Sequence, residues 1–334
     1  MLSEIVDRYI KCNSDLNQHQ LSNVRSNLYK LLVSVEKKIS ILESTLLYKN
    51  IPYDFNWHEY LDLNSDVNLV IKDEYMAKEN YDLYGFYERR MYKRSQLRDI
   101  NTFIYCGGKC GGVTLRNTFH KKNIRCIHSH SNEEFIKNYI GCGNVHELIN
   151  QNSGWHKNIY IIDSYRLPIE RKMSSFFQNM TIDIPDYGSK TTQELTTCFN
   201  YQYINNVDPA QNNEDYHPLD EMVEYLGIES PLTFDFKKMY GIMKYKNINF
   251  IKIRFQNIDK WTTILSGIVG KSLILNSDNL SKDKSYKDKY EKFKTEYKVP
   301  LDYLEKLKTD KAFLNYNTPH ERSEYIKYWT SRSE

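Results

Sequence analysis

The chain has 334 residues, of which 40% are hydrophobic and 27% are charged, and its formal net charge is +3. This is the composition of an ordinary globular protein, and it excludes wholesale disorder, a small disulfide-stapled scaffold and a general nucleic-acid binder. No stretch approaches the roughly 18 consecutive apolar residues of a membrane span, and residues 1–11 contain no apolar signal core. We therefore expect residence in a cytoplasm.

The six cysteines form no Cys-x-x-Cys pair, and no paired histidines stand at zinc spacing. Without a secretory signal we expect reduced thiols. Cys106, Cys110 and Cys126 lie in or beside apolar runs, where a free cysteine packs as a small hydrophobic side chain. The sequence therefore predicts no metal site.

The N-terminal region, residues 1–50, is predicted to form one long helix. Its apolar side chains follow a 3-4 repeat from Leu21 through Leu42, and Pro52 then ends helical character. Lys38 interrupts the repeat, so two interpretations stay open. The helix either docks on its own chain, which we favour, or forms a short coiled coil that joins copies of the chain into a homo-oligomer.

Residues 51–95 are predicted to form a small helical module, in which Gly85 suits a helix C-cap. The segment resembles a short module attached to polysaccharide-modifying and glycosyltransferase proteins of bacteria and giant viruses; if the source is viral, the compartment is the host cytoplasm. We interpret the module as a structural appendage. The resemblance rests on Trp57, Tyr60-Leu61, Asn64-Ser65-Asp66, Ala77, Tyr84-Gly85, Glu88 and Arg90.

From residue 96 to residue 334, short apolar runs predict strands at 102–106, 123–128, 158–163 and 249–255. A helix fits between the first two, over residues 114–121, and this spacing is typical of βαβ units. We therefore predict an α/β domain with a central parallel sheet flanked by helices. The stretch 284–329 predicts helices that are interrupted at Pro300 and Pro319.

A glycine-rich loop follows the first predicted strand. Glycines let the backbone turn with its N–H groups facing inward, the next helix adds the positive end of its dipole, and the lysine adds a point charge. The spacing is neither a Walker A motif nor the dinucleotide fingerprint. These features nevertheless predict a phosphate site, formed by Gly107-Gly108-Lys109-Cys110-Gly111-Gly112-Val113-Thr114-Leu115.

A second motif, residues 166–174, follows the third predicted strand. Pro168 suits the first turn of a helix, which places Arg166 at the carboxyl edge of the sheet and Ser174 about two turns into the helix. Arg171 and Ser174 then share one helix face. An arginine at a strand end and a helical serine can bind a second phosphate by charge-assisted hydrogen bonds.

Together, the Lys-x-Gly-small-small-Thr-Leu loop and the Arg-x-Pro-x-x-Arg-x-x-Ser-x-Phe segment resemble the two phosphosulfate-binding motifs of sulfotransferases. The arrangement is most similar to the sulfotransferase-like capsular polysaccharide synthesis family, and the likeness spans roughly residues 100 to 330. It implies a P-loop-type sulfotransferase fold. It continues through Asp220-Glu221, Gly227-Ile228, Phe234-Asp235, Tyr240-Gly241 and Ile253-Arg254-Phe255-Gln256-Asn257-Ile258.

The resemblance implies transfer of a sulfuryl group from 3′-phosphoadenosine 5′-phosphosulfate (PAPS) to a hydroxyl of a glycan or polysaccharide, without a metal. Arg166 and Ser174 would bind the 3′-phosphate. The 5′-phosphosulfate would be bound by Gly108, Lys109, Cys110, Gly111, Gly112, Val113, Thr114 and Leu115.

The sequence departs from the family pattern in three places. Leu167 replaces an Asp or Asn, Gly112 and Val113 replace a Ser/Thr pair, and Gln256-Asn257 replace an acidic pair. Because backbone N–H groups survive at Gly112 and Val113, the sequence supports nucleotide binding more strongly than catalysis.

Sulfuryl transfer also requires a proton acceptor and a cation beside the leaving phosphate. Lys109 suits the second role. Ligands of open parallel sheets lie beyond the carboxyl ends of the strands, so His128 and His130, at the end of the second predicted strand, are the predicted base. Glu133 and Glu134 are the alternatives.

The segment from 181 to 218, predicted to be irregular and rich in Asn, Asp and Tyr, is expected to contribute to the acceptor site. Two other functions stay open. The chain could be another nucleotide- or nucleotide-sugar-dependent transferase, or a non-catalytic binding or assembly protein.

Overall fold

A computed structural model describes residues 26–39, 48–184, 186–205, 218–229, 232–275 and 286–332. The chain divides into two compact units, Met1–Lys93 and Arg94–Glu334. In the described ranges, no helix combines the length and the apolar composition that crossing a membrane requires.

The first unit contains a helix over residues 26–39, α1. Most of the remaining residues of the predicted long helix, and hence its predicted part in an oligomer, lie outside the described residues. The unit continues with α2 (Trp57–Asp62), α3 (Ser65–Asn68), α4 (Glu74–Asn80) and a π-helical turn (Tyr81–Gly85).

Several residues of the module motif hold this small unit together. Asn64 donates through Nδ2 to the carbonyls of Tyr60 (2.7 Å) and Met91 (2.8 Å), which ties α2 to the end of the module. Because the bond to Met91 links residues 27 positions apart in the chain, Asn64 of the motif has a structural explanation. The core that they enclose consists of Tyr60, Leu61, Val67, Ile71, Ala77 and Tyr81.

Arg90 joins two carboxylates of the same module, with N···O distances of 2.7 Å to Asp66 and 2.5 Å to Glu88. The prediction that Gly85 ends a helix as a C-cap is wrong, because Gly85 lies inside the π-helical turn. A Cβ at Gly85 would lie 2.7 Å from the Tyr60 hydroxyl oxygen. The glycine is needed for this close approach.

The second unit is built on a sheet of six described strands in the order β2-β1-β3-β6-β5-β4. The strands β2, β1, β3 and β6 are parallel, whereas β5 and β4 are antiparallel to their neighbours. The α/β class is confirmed. Their ranges are β1 (Thr102–Tyr105), β2 (Ile127–Ser129), β3 (Ile159–Tyr165), β4 (Phe234–Asp235), β5 (Tyr240–Tyr245) and β6 (Ile248–Arg254).

The sheet predicted to be parallel is mixed, because two strands at one side of it are antiparallel. A tight turn at Lys246, whose φ is 52°, reverses the chain between Tyr245 and Ile248 and pairs β5 with β6. The β5 strand carries solvent-facing side chains, so it lacks the continuous apolar run by which buried strands are predicted.

The helices of the second unit lie on both sides of the sheet or pack beyond it. The helix predicted over residues 114–121 is confirmed, and the helices after Pro300 and at Pro319 begin where predicted. The α-helices are α5 (Gly112–His120), α6 (Asn132–Asn138), α7 (Val145–Ser153), α8 (Pro168–Asp183), α9 (Thr192–Phe199), α10 (Pro218–Tyr225), α11 (Trp261–Val269), α12 (Lys287–Glu296), α13 (Leu301–Leu307), α14 (Lys311–Tyr316) and α15 (Pro319–Thr330).

One face of the sheet is covered by α5 and α11. Their buried residues Leu115, Phe119, Trp261 and Leu265 share a core with strand residues of β1, β3 and β6, among them Ile104, Ile162 and Ile251. This packing sets the beginning of α5 at the carboxyl end of β1, directly after the glycine-rich loop.

The prediction that residues 181–218 are irregular is wrong at residues 181–183 and 192–204, which are helical, whereas residues 186–191 form turns and coil. The helix α8 continues to Asp183, and α9 begins at a capping box of Thr191 and Glu194. Apolar side chains of α9 such as Phe199 enter an aromatic core shared with α8 and the C-terminal helices. Residues 206–217 of the segment lie outside the described residues.

Candidate phosphate-binding site

The predicted motifs meet at one edge of the sheet, because the four parallel strands all end there. The glycine-rich loop follows β1, His130 follows β2, and Arg166 follows β3. The structure thus brings together sequence motifs that are more than fifty residues apart.

The loop backbone has the form of an anion-binding turn. Its φ angle is positive at Lys109 (66°) and again at Gly111 (90°), the residue that precedes α5. Gly111 has no side chain to cap the first N–H groups of α5, so these donors at the positive end of the helix dipole are open to an anion. A non-glycine residue in the left-handed region is strained, and Lys109 bears that strain at the centre of the loop.

Two arginines from the junction of β3 and α8 fasten the loop. Arg166 donates from Nη1 to the Lys109 carbonyl at 2.9 Å, and its guanidinium lies 4.5 Å from the ring centre of Phe255. Arg171 donates from Nε to the Gly108 carbonyl at 3.1 Å. Each of these bonds uses one of several guanidinium donors, so both arginines retain N–H groups that can bind phosphate oxygens.

One face of α8 is turned toward the loop. Arg171, Ser174 and Gln178 follow one another at helical spacing, and the Lys109 ammonium donates to the Gln178 side-chain oxygen. Ser174 is half-buried on this face between the two contacts. Sequence analysis missed Gln178, although its position four residues after Ser174 places it on the predicted face.

Some of the predicted loop residues are buried in the protein and do not face the surface where an anion would bind. Leu115 is buried in the core, and its N–H is bonded to the Gly111 carbonyl, so it supports the loop from below. Burial also raises the pKa of the Cys110 thiol, whose Sγ lies 3.6 Å from the Gly108 carbonyl oxygen. Val113 and Thr114, in the first turn of α5, are half-exposed.

The two predicted histidines differ in their surroundings. His128 points under the start of α5: its Nε2 is buried without a hydrogen-bond partner, and a Cβ on Gly112 would lie only 2.0 Å from that atom. Burial, together with the charges of His130 and Arg116, lowers the pKa of His128 well below its usual range. His128 is therefore a neutral imidazole packed beneath the loop.

His130 is half-buried and is fixed by its Nδ1, which lies 2.8 Å from the Cys106 carbonyl oxygen. If Nδ1 donates this bond, Nε2 carries the lone pair that a base needs. Glu134 accepts the His130 backbone N–H at 2.5 Å, which gives it a structural role, while Glu133 is exposed. Of the four candidates for a base, His130 has the most suitable surroundings.

A buried ion pair joins the central strands β3 and β6 on the face of the sheet opposite to α5. Lys252 of β6 donates to Asp163 of β3 at 2.6 Å, and both side chains are 1% exposed. Burial disfavours the charged amine, but the Asp163 carboxylate outweighs this effect and raises the pKa of Lys252. Sequence analysis missed the pair, although opposite charges inside two apolar strand runs are a readable signal.

Comparison with known proteins adds no relative to this description: no protein-family model, no curated protein and no solved structure matches the chain.

Proposed function

We propose that the chain binds PAPS and transfers its sulfuryl group to a hydroxyl of a glycan. The observation that carries the proposal is the contact between the two predicted motifs, in which Arg166 and Arg171 bind carbonyls of the loop at Lys109 and Gly108. Two phosphate-recognition elements at one sheet edge fit a ligand with two separate phosphate groups. The glycan acceptor rests on the sequence resemblance alone.

In this proposal the 5′-phosphosulfate lies on the loop from Lys109 to Thr114, and the open N–H groups of α5 and the Lys109 ammonium bind its oxygens. The 3′-phosphate is bound by remaining donors of Arg166 and by the Ser174 hydroxyl. Both assignments need the loop and α8 to remain in contact, which the bond between Lys109 and Gln178 supports.

The transfer step is an in-line displacement. The acceptor oxygen forms a bond to sulfur, the bond from sulfur to the bridging phosphate oxygen breaks, and the electron pair stays on the leaving phosphate. The acceptor proton passes to His130, and the negative charge on the leaving group is balanced by Lys109. His128 does not touch the acceptor in this scheme, because it lies beneath Gly112.

Binding is tested by calorimetric titration with 3′-phosphoadenosine 5′-phosphate, ADP and AMP in parallel. We expect the 3′-phosphate to improve affinity by about tenfold or more, since hydrogen bonds to charged groups contribute about 1.5–3 kcal/mol each. Equal affinity for ADP would favour another nucleotide-dependent transferase. No binding of any of the three would favour a non-catalytic protein.

Catalysis is tested with radiolabelled PAPS and a crude mixture of microbial polysaccharides. We expect His130→Asn to lower the transfer rate by about 100-fold or more while nucleotide affinity is unchanged, which is the usual contribution of a general base. A His130→Asn variant that transfers at the wild-type rate contradicts the assignment of the base. If the wild-type chain binds the nucleotide but transfers no label, the binding proposal stands and sulfuryl transfer to these acceptors is excluded.

A further inference from the structure

We propose that Cys106, His128 and His130 form a binding site for a zinc-class transition-metal ion. The Cys106 sulfur and one ring nitrogen of each histidine lie within 4.8 Å of one another, in the only such group of three among the described residues that includes a thiol. One thiolate and two imidazoles are a ligand set that suits Zn²⁺ and its neighbours. This site does not depend on the proposed transferase function.

The sheet itself creates the cluster. Ile104 pairs with His128 and Tyr105 pairs with Ser129, so Cys106 and His130 stand opposite each other one step later on neighbouring strands. His128 and His130 are two residues apart, and alternate residues of a strand project to the same face. The sequence predicted no metal site because zinc ligands are usually recognised by their spacing along the chain, whereas these three residues come from the ends of two strands.

The side chains of Cys106 and His128 converge on the space beneath Gly112. A Cβ at Gly112 would lie 2.0 Å from His128 Nε2 and 2.9 Å from Cys106 Sγ, so the two ligand atoms both border the place that the glycine leaves open. His128 Nε2 is buried and lacks a hydrogen-bond partner, which is costly for a polar atom unless something binds it. A cation would satisfy this atom.

The third ligand, His130, is held next to the thiol by the contact of its Nδ1 with the Cys106 carbonyl at 2.8 Å. In a tetrahedral zinc site the ligand atoms lie about 3.5 Å apart, so binding shortens separations of up to 4.8 Å by up to about 1.3 Å. The thiol proton is released to solvent when the metal–sulfur bond forms. Three protein ligands leave a fourth position for water or an anion.

An ion at this site and the role of His130 as a base exclude each other. An imidazole that binds a cation through one nitrogen carries its proton on the other, and it cannot accept another proton near neutral pH. Metal binding therefore predicts inhibition of any reaction that uses His130, and an active transferase would be the metal-free chain.

The test is an optical titration of the full, chelator-treated chain with Co²⁺ in the absence of nucleotide. We expect one equivalent to give intense visible bands of a tetrahedral ion together with a near-ultraviolet sulfur-to-cobalt band. In Cys106→Ser the sulfur band disappears and affinity falls by more than about tenfold. Cys126→Ser is the matched control, because Cys126 is a buried thiol outside the cluster, and it should keep the band.

A wild-type chain without the sulfur band, or a Cys106→Ser variant that retains it, overturns the proposal. Should Cys106→Ser fail to fold, zinc X-ray absorption of the wild-type chain decides the question by itself. We expect one sulfur and imidazole nitrogens around one zinc per chain. A shell of oxygen atoms alone would show that the ion binds elsewhere. Nucleotide binding is measured in a separate experiment, so neither outcome decides whether the chain binds PAPS.

Discussion

Arg166 and Arg254 stand at the ends of neighbouring parallel strands, β3 and β6, and Arg254 is the register partner of the residue just before Arg166. Arg254 is 4% exposed and bonds both oxygens of the Glu321 carboxylate, at 2.9 and 3.0 Å. It also donates to the Asn257 side chain at 2.9 Å. Arg166 is half-exposed; its described close contacts are a carbonyl and an aromatic ring, and its charge also favours the ionised form of the Glu170 carboxyl.

The partner of each arginine, and not its place at a strand end, therefore decides its role. A carboxylate from α15 neutralises Arg254 and encloses it, which makes it part of the framework. The carbonyl of Lys109 orients Arg166 without neutralising it, so its charge remains for an anion. Four measurements test this contrast.

The largest effect is expected for Arg254→Met. The change leaves Glu321 and the Tyr316 carbonyl without their shared donor and should lower the free energy of unfolding by about 3 kcal/mol, measured by urea denaturation. Arg322→Met is the control, because Arg322 is a half-exposed arginine whose bond to the Leu314 carbonyl is exposed to solvent, and it should change stability by less than about 0.5 kcal/mol. Similar values for the two variants would contradict a framework role.

Arg166→Met should affect ligand binding more than it affects the stability of the fold. We expect unfolding free energy to fall by only about 1 kcal/mol, whereas binding of 3′-phosphoadenosine 5′-phosphate weakens by about 10- to 100-fold in calorimetry. Arg125→Met serves as control, since Arg125 lies before β2, at the other end of the parallel strands. Loss of stability without loss of affinity would make Arg166 equivalent to Arg254.

Ser174→Ala tests the α8 side of the same site. A neutral hydroxyl contributes about 1 kcal/mol to a hydrogen bond, so the affinity for the 3′-phosphorylated nucleotide should fall by roughly fivefold while the affinity for ADP is unchanged. Ser323→Ala, an exposed serine in α15, should alter neither value. Equal losses for both nucleotides would place the hydroxyl away from the 3′-phosphate.

The smallest expected effect is the pH dependence of the stability that Glu321 contributes. Partial burial raises the pKa of Glu321, but the Thr318 backbone N–H and Arg254 outweigh it and lower that pKa below its usual range. A carboxyl whose pKa is lowered by folding stabilises the protein above its unfolded pKa of about 4.3, and this contribution is lost as pH falls through the folded pKa. Urea denaturation should therefore find Glu321→Gln less stable than wild type at pH 7, with the gap closing in acid. A gap that is constant with pH would contradict the pairing.

The parts of the fold that were predictable from sequence are those in which local and tertiary signals agree. The buried strands, such as β3 and β6, read as apolar runs, and α8 begins at Pro168 because proline suits a first helical turn. The strand β5, which lies between β6 and the edge strand β4, was missed because several of its side chains face solvent and break the apolar run. The segment around α9 was misread because its helix depends on Phe199 entering a distant aromatic core.

The candidate site was predictable as two motifs but not as a set of contacts. Glycine spacing predicted the turn at Lys109, and helical spacing predicted the shared face of Arg171 and Ser174. Sequence could not show that His128 is buried beneath Gly112, since that requires the pairing of β1 with β2. The same pairing brings Cys106 beside the histidines, which no spacing within the chain reveals.

The buried pair of Asp163 and Lys252 has a consequence for how the sheet assembles. The two residues are 89 positions apart in the chain, so β3 and β6 meet only after a long connection has closed. A slip of one residue between these strands would turn one charge to the other face and leave both without a partner in an apolar interior. The pair thus specifies the register of β3 and β6: misaligned sheets are destabilised, and the one alignment that places Arg166 beside the loop is favoured.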